Sequence, residues 1–262
     1  MIIASDIHDK EGNPLLVDDL LGVLEQDRHR TLVLAGDLTC GAEDGEYRRI
    51  KSWLKELLAE GVNVVLAAGN HDMSKSILVT RLPRSKGYSR HSDLLDMIED
   101  QRIVVERMDE FDMIYRVGMD VFYCARSTHS KPLKGSRIKK DQLYWARERL
   151  EGHKLSSEEG YRLHLVTHQS LWRLEGDAHG HFHKRKRLVR ELLSPLGFTT
   201  AINGHNHRFD ASIREVKKLG FCMYHIQAPA LSRRTKGRFI PGFVKWDPEI
   251  AGSAEMVKVV LR

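Results

Sequence analysis

Three short, predominantly apolar runs in the first seventy residues, 1–5, 31–35 ("TLVLA") and 62–68, alternate with stretches that read as helices, 14–27 and 46–60. In "EYRRIKSWLKELLAE" the residues Ile50, Trp53, Leu54, Leu57 and Leu58 recur at helical spacing and give that segment one buried face. Continuous apolar runs between amphipathic helices are strands covered on both faces, and such strands build parallel sheets. The N-terminal half is therefore expected to be α/β. Farther on the runs crowd together, at 103–105, 114–117, 120–125, 161–167, 199–203, 222–228, 243–246 and 256–261, with helices only near 139–151 and 184–194. This predicts a second, more antiparallel sheet packed against the first. The polar stretch 152–160 reads as a loop, and 73–92 as an irregular excursion beside a site. With no internal repeat and no long linker, residues 1–262 read as a single domain.

Composition narrows the classes. At 41% hydrophobic and 30% charged, with no run near the roughly 18–20 apolar residues that a bilayer demands, the sequence carries no membrane-spanning helix. Asp6 falls where a secretory leader needs apolar residues, so the expected compartment is the cytoplasm. Cys40, Cys124 and Cys222 are odd in number and widely spaced, which excludes a disulfide framework or a paired-cysteine zinc knuckle and leaves them as core thiols. A formal charge of +6 favours an anionic partner.

The ends of the apolar runs carry the chemistry. After 1–5 comes Asp6-Ile7-His8; after 31–35, Gly36-Asp37; after 64–68, Gly69-Asn70-His71-Asp72; after "RLHLVT", His168; after "TTAIN", Gly204-His205-Asn206-His207. In an open α/β sheet the carboxyl ends of parallel strands meet at one crevice, so residues two hundred positions apart can share a site. Asp6 and His8, two apart on extended backbone, are expected on one side and able to grip one cation, with Ile7 turned to the core. His205 and His207 repeat the arrangement. Gly36, Gly69 and Gly204 allow tight turns or close approach.

This ordered set resembles the calcineurin-like metallophosphoesterase superfamily, whose pattern runs D-x-H, G-D, G-N-H-D/E, a lone H and G-H-x-H. The motifs span residues 6–207. The resemblance implies two packed mixed β-sheets flanked by helices, a four-layer αββα sandwich, with two metal ions between strand ends. Carried over residue by residue, Asp6, His8, Asp37 and His207 would hold one ion and Asp37, Asn70, His168 and His205 the other, Asp37 bridging. A pair of divalent ions about 3.5–4 Å apart clamps a phosphoryl group during in-line displacement. Two such ions bring +4, the two aspartates return −2 and a bridging hydroxide −1, so the site keeps a positive charge for an anionic ester. The oxygen and imidazole donors suit Mn, Fe, Zn or Co over Ca or Mg. In the family the histidine at position 71 is not a ligand; it stabilises charge at phosphorus and protonates the leaving oxygen, with Asp72 orienting it.

Finer details resemble the class III cyclic-nucleotide phosphodiesterases: "GDLT" at 36–39, "KKDQLYWARERL" at 139–150, "QAPALSRR" at 227–234 and "IPGFVKWD" at 240–247. Cys40 and Gln169-Ser170 depart from that branch, which often has an acid and a proline there. The expected function is hydrolysis of a nucleotide-type phosphodiester by attack of the metal-bridging hydroxide. A nuclease, a phosphomonoesterase and a catalytically silent scaffold are the alternatives. A second Gly-His-x-His, at 180–183, competes for the ligand role, but no apolar run precedes it and a basic segment follows. His179, His181 and His183 are therefore assigned to solvent or substrate. His164, inside an apolar run, reads as a packing histidine. The basic residues Lys184 to Arg187 with Arg190, and Arg233, Arg234, Lys236 and Arg238, are a candidate phosphate or nucleic-acid patch.

Overall fold

The computed structural model describes residues 1–9, 17–73, 85–108, 111–127, 138–172, 188–216, 221–231, 242–250 and 252–258. The first apolar runs form β1 (Ile2–Ala4), β2 (Thr31–Ala35) and β3 (Asn63–Ala67), joined through helices α1 (Val17–Glu25) and α2 (Asp44–Ala59). All three strands run parallel, and every residue of β1 and β2 is buried. The Glu46 carboxylate caps the start of α2 by accepting from the backbone N–H of Glu43 and of Gly41, both at 2.9 Å.

Helix α3 (Ser85–Glu99) leads to the second sheet, built from β4 (Val104–Arg107), β5 (Met113–Val117), β6 (Asp120–Cys124), β7 (Arg162–Thr167), β8 (Phe198–Asn203), β9 (Asp210–Val216) and β10 (Phe221–Gln227). Helix α4 (Lys140–Gly152) connects β6 to β7. A π-helical stretch, Val189–Leu193, runs into a helical turn, Ser194–Leu196, before β8. Strands β11 (Gly242–Lys245) and β12 (Glu255–Lys258) return to the first sheet, whose order is β12-β11-β1-β2-β3. The second sheet runs β4-β5-β6-β7-β8-β10-β9. Both sheets are mixed.

The second sheet is not more antiparallel than the first. Its centre, β6-β7-β8-β10, is parallel, and antiparallel pairs lie only at its two margins. The closely spaced runs are hairpin partners at those margins, whereas the central strands are joined by crossovers, which parallel pairing requires. Ile2, Val33 and Val65 of the first sheet share one buried cluster with Tyr115, Phe122, Cys124, Val166, Ile202 and Ile226 of the second, which makes the inter-sheet core. Helices α1, α2 and α3 add Leu24, Ile50, Leu54, Leu57, Leu95 and Ile98 to it. A separate cluster joins Val121, Tyr123 and Leu165 on the outer face of the second sheet to Leu143 and Leu150 of α4 and to Leu192. The layers are thus helix, sheet, sheet, helix.

Two elements fall outside the sequence expectation. Helix α3 occupies part of the segment read as irregular, and buries His91, Leu94, Leu95 and Ile98. Strand β9 has no apolar run because it is a sheet edge, where Ile213 is 74% exposed. Cys124 is a core thiol as expected, but Cys40 is half-buried and Cys222 is exposed on β10. Among the described residues no helix is long and apolar enough to cross a membrane.

Candidate metal centre

Beyond the ends of β1, β2 and β8 the chain turns in left-handed backbone at Asp6 (φ 52°), His8 (46°), Asp37 (53°), His205 (73°) and His207 (55°). Asp and His tolerate this region better than most residues, yet each instance costs of order 1 kcal/mol or more. Five such residues at one crevice mark a site where the fold holds the backbone away from its resting shape. Asp6 and His8 therefore converge through alternate left-handed residues, not through the extended alternation that the sequence suggested. Ile7 between them is buried in the core, as expected.

Each carboxylate is anchored by one oxygen and offers the other. Asp6 Oδ2 accepts from the Ser5 hydroxyl (2.6 Å) and the His205 backbone N–H (2.8 Å), which ties the first sheet to the second. Asp6 Oδ1 lies 3.1 Å from His207 Nε2 and 3.7 Å from His8 Nε2. Asp37 Oδ1 accepts the His71 backbone N–H (2.7 Å), while Oδ2 lies 3.1 Å from His168 Nε2 and 3.9 Å from His8 Nε2. The free oxygens and the imidazole nitrogens thus converge. His8 Nε2 and His207 Nε2 are 3.3 Å apart, as are His168 Nε2 and His205 Nδ1.

Three donor groups result: Asp6, His8 and His207; Asp37, His168 and His205; and, between them, His8, Asp37 and His71. Within each, the offered atoms all lie within 4.8 Å of one another. The residues fit a bound cation on a second count: Asp6 Oδ1 and Asn70 Oδ1 are buried and accept no hydrogen bond. A buried acceptor without a donor is costly unless a cation satisfies it. His168 Nδ1 donates to the Ala35 carbonyl (2.9 Å), which fixes the tautomer and leaves the Nε2 lone pair facing the centre.

His71 sits edge-on to His8, with ring centroids 4.7 Å apart. Its Nδ1 donates to the Cys40 carbonyl at 2.6 Å. Asp72 does not orient the ring directly. Its carboxylate accepts from the backbone N–H of Thr39 (3.0 Å) and Gly69 (2.9 Å) and from the Thr39 hydroxyl (3.2 Å), so it fixes the loop from which His71 projects. The sequence could not assign the orienting group, because a backbone carbonyl has no residue signature. It also gave no reason to choose Ser5, whose hydroxyl bonds both Asp6 and the Ala35 carbonyl.

The glycines act by close approach. A Cβ on Gly204 would collide with Ser5 Oγ and lie 2.7 Å from the Ala35 carbonyl oxygen and 2.9 Å from Asp6 Oδ2. One on Gly69 would collide with the Asp37 backbone nitrogen and Oδ1. We expect Gly204→Ala to cost about 1–3 kcal/mol of stability and to spread the Asp6 and His205 donors. Thermal unfolding and metal content measured together check this; an unchanged melting temperature with full metal content would contradict it.

Burial opposes the charge on Asp37, but His168, then His71 and His8, outweigh it and hold the carboxyl well below the usual range. Asp6 is likewise buried, and facing His207 holds it low. Burial disfavours the His168 imidazolium, yet the Asp37 charge and hydrogen bond win and raise it to about 9. A cation and a proton compete for that nitrogen. Uptake of Mn²⁺ at neutral pH should therefore release a proton, and affinity should rise roughly tenfold per pH unit toward pH 9. Calorimetry in buffers of different ionisation enthalpy measures the release; pH-independent affinity between 6 and 9 would contradict it.

Other histidines keep their distance. His164 is a packing residue, as expected: buried, with Nε2 2.9 Å from Asp120 Oδ1, and shifted down by burial. His225 is buried between Ser170 Oγ (3.3 Å) and Asp210 Oδ2 (3.0 Å). The competing motif at 180–183, with His179, and the basic residues 184–187, 233, 234, 236 and 238 lie outside the described residues, as does the Arg190 side chain.

Two mixed sheets with carboxylate and imidazole donors gathered at their strand ends make a candidate metal centre. The model of the calcineurin-like phosphoesterase family matches residues 1–209, and the chain belongs to that family. No curated protein is significantly similar to it in sequence. Among solved structures, purple acid phosphatase PPD1 from yellow lupin (Lupinus luteus) superimposes with a TM-score of 0.60 at 13% identity, covering 93% of this chain. The match takes in 48% of the lupin chain, so this chain spans about half its length. A dimetal phosphatase from Danio rerio matches with a TM-score of 0.50 at 17% identity, covering 87% of this chain and 86% of its own. At these identities the likeness is one of fold.

Proposed function

We propose that this chain is a phosphodiesterase acting on a nucleotide-type diester, as in the class III cyclic-nucleotide branch, and that residues 1–262 form one domain. The observation that carries the reading is Asp37 Oδ2, which faces His168 Nε2 at 3.1 Å and His8 Nε2 at 3.9 Å and so stands between both donor sets. In this reading Asp6, His8, Asp37 and His207 hold one divalent ion and Asp37, Asn70, His168 and His205 the other, with Mn or Fe, or Zn or Co, as the metals the donor chemistry favours. When bound, such ions supply Lewis acidity toward the phosphoryl oxygens and an acidified water as nucleophile. The chain's own part is to set that arrangement through the Ser5 hydroxyl, the Ala35 carbonyl and the His205 backbone N–H, and to place His71. With Nδ1–H held by Cys40, Nε2 is the atom through which His71 passes a proton to the leaving oxygen.

The test is hydrolysis of bis(p-nitrophenyl) phosphate, a cyclic nucleotide, single-stranded DNA and p-nitrophenyl phosphate with Mn²⁺ and with a chelator. Metal-dependent turnover with a higher kcat/KM for the small diesters supports the reading. A preference for the monoester or for DNA would replace it with the phosphomonoesterase or nuclease alternative. No turnover with any of the four would leave the scaffold.

A further inference from the structure

His225, on β10, belongs to a chain of hydrogen bonds that ends beside His168. Its Nδ1 lies 3.0 Å from Asp210 Oδ2 on β9, and its Nε2 lies 3.3 Å from Ser170 Oγ. A carboxylate only accepts, so Nδ1 carries the proton and Nε2 accepts from the Ser170 hydroxyl. The serine oxygen in turn accepts the Trp172 backbone N–H at 3.1 Å. His225 and Ser170 are fully buried, and the Trp172 ring lies against the imidazole with centroids 5.1 Å apart. Burial shifts His225 toward its neutral form, and its hydrogen bond holds the Asp210 carboxyl well below the usual range.

Ser170 stands two residues after His168. That histidine is fixed at its own atoms by the Gly204 N–H, which donates to its carbonyl (3.0 Å), and by its Nδ1, which donates to the Ala35 carbonyl (2.9 Å). Asn203 Nδ2 holds the residues on either side, at 2.7 Å from Thr167 Oγ1 and 3.2 Å from the Gln169 carbonyl. Ser170 adds an anchor from β10 and β9, the last two strands of the sheet. Serine, histidine and aspartate in this order also activate a hydroxyl for acyl transfer. Ser170 has no exposed surface, so no ester reaches its Oγ and the chain of bonds is left to hold the loop.

We propose that His225, backed by Asp210, is a positioning residue for His168: by gripping Ser170 it fixes the loop from which His168 offers Nε2 to the ion shared with Asp37 and His205. The inference rests on the reading of the centre as a two-ion site. Groups that hold a metal ligand in place are worth about 10–100-fold in metal affinity. His225 acts through an intervening serine, so the lower end of that range applies.

The experiment titrates Mn²⁺ calorimetrically into wild type, Ser170→Ala, His225→Phe and His225→Gln, and into His168→Ala with and without His225→Phe, with the melting temperature of each recorded. Wild type should take up two ions. Ser170→Ala and His225→Phe should each weaken one of them roughly tenfold and leave the other unchanged. The glutamine, whose amide again offers one acceptor and one donor, should recover most of the loss. Where His168 is already alanine, His225→Phe should cost nothing further. Wild-type affinity at both ions in Ser170→Ala and His225→Phe, an equal loss at both, or a further loss in the His168→Ala background overturns the positioning role, whatever the melting temperatures. Labelling of Ser170 by diisopropyl fluorophosphate overturns it too. If His225→Phe does not fold, Ser170→Ala, which removes a single hydroxyl, decides alone. Uptake of fewer than two ions by wild type overturns the two-ion reading, and the inference with it.

Discussion

Asp37→Asn should lose at least about a thousandfold in turnover and hold cations poorly at both donor sets, while the fold survives. The two oxygens of this carboxylate do different jobs: Oδ1 accepts the His71 backbone N–H, and Oδ2 faces His168 and His8. An amide has one oxygen. If that oxygen replaces Oδ1, an NH₂ group points at the cations; if it replaces Oδ2, the NH₂ group meets the His71 N–H, donor against donor. Either orientation removes one function, and the negative charge is lost in both. Several kcal/mol of transition-state stabilisation assigned to the cations corresponds to the stated loss at about 1.4 kcal/mol per tenfold. Steady-state kinetics with elemental analysis measure the outcome. Near-normal turnover with full metal content would deny Asp37 its bridging role.

His71→Ala should lower kcat by about 10²–10⁴-fold, with KM and metal content nearly unchanged. The ring hangs from a single backbone carbonyl, Cys40, and stands edge-on to His8. Proton donation matters most when the departing oxygen is a poor leaving group, so the defect should be larger for an alkyl ester than for a p-nitrophenyl ester. A loss of the same size with both leaving groups would point to electrostatic stabilisation alone. A loss of metal would make His71 a ligand, as the His8, Asp37 and His71 group allows. His71→Ala therefore separates three roles that share one position.

The sequence exposed the site better than the sheets around it. Strand β2 runs over Thr31–Ala35, where the apolar run "TLVLA" stands, because five buried residues in a row leave little choice. The six charged or imidazole residues expected as metal ligands fall into the donor groups, His71 with them, because strand ends bring them to one edge. Backbone geometry was not legible. Nothing in Asp6-Ile7-His8 announces that Asp6 and His8 adopt left-handed conformation, since that shape is imposed by bonds such as Asp6 N–H to the Gly36 carbonyl (3.0 Å) and His8 N–H to the Asp37 carbonyl (3.0 Å). Groups without side-chain identity, such as the Cys40 carbonyl, leave no mark on a sequence. Helix α3 was hidden because Gly87 and several serines dilute a pattern that only Leu94, Leu95 and Ile98 declare. Strand β9 was hidden because an edge strand has no need to be apolar on both faces.

The central claim is that Asp37 joins two cation sites, one completed by Asp6, His8 and His207 and the other by Asn70, His168 and His205. Anomalous diffraction from crystals soaked in Mn²⁺ tests it directly. Two peaks that share Asp37 are the expected result. A single peak, or manganese bound at His181 and His183 with the Asp37 centre unoccupied, would contradict it.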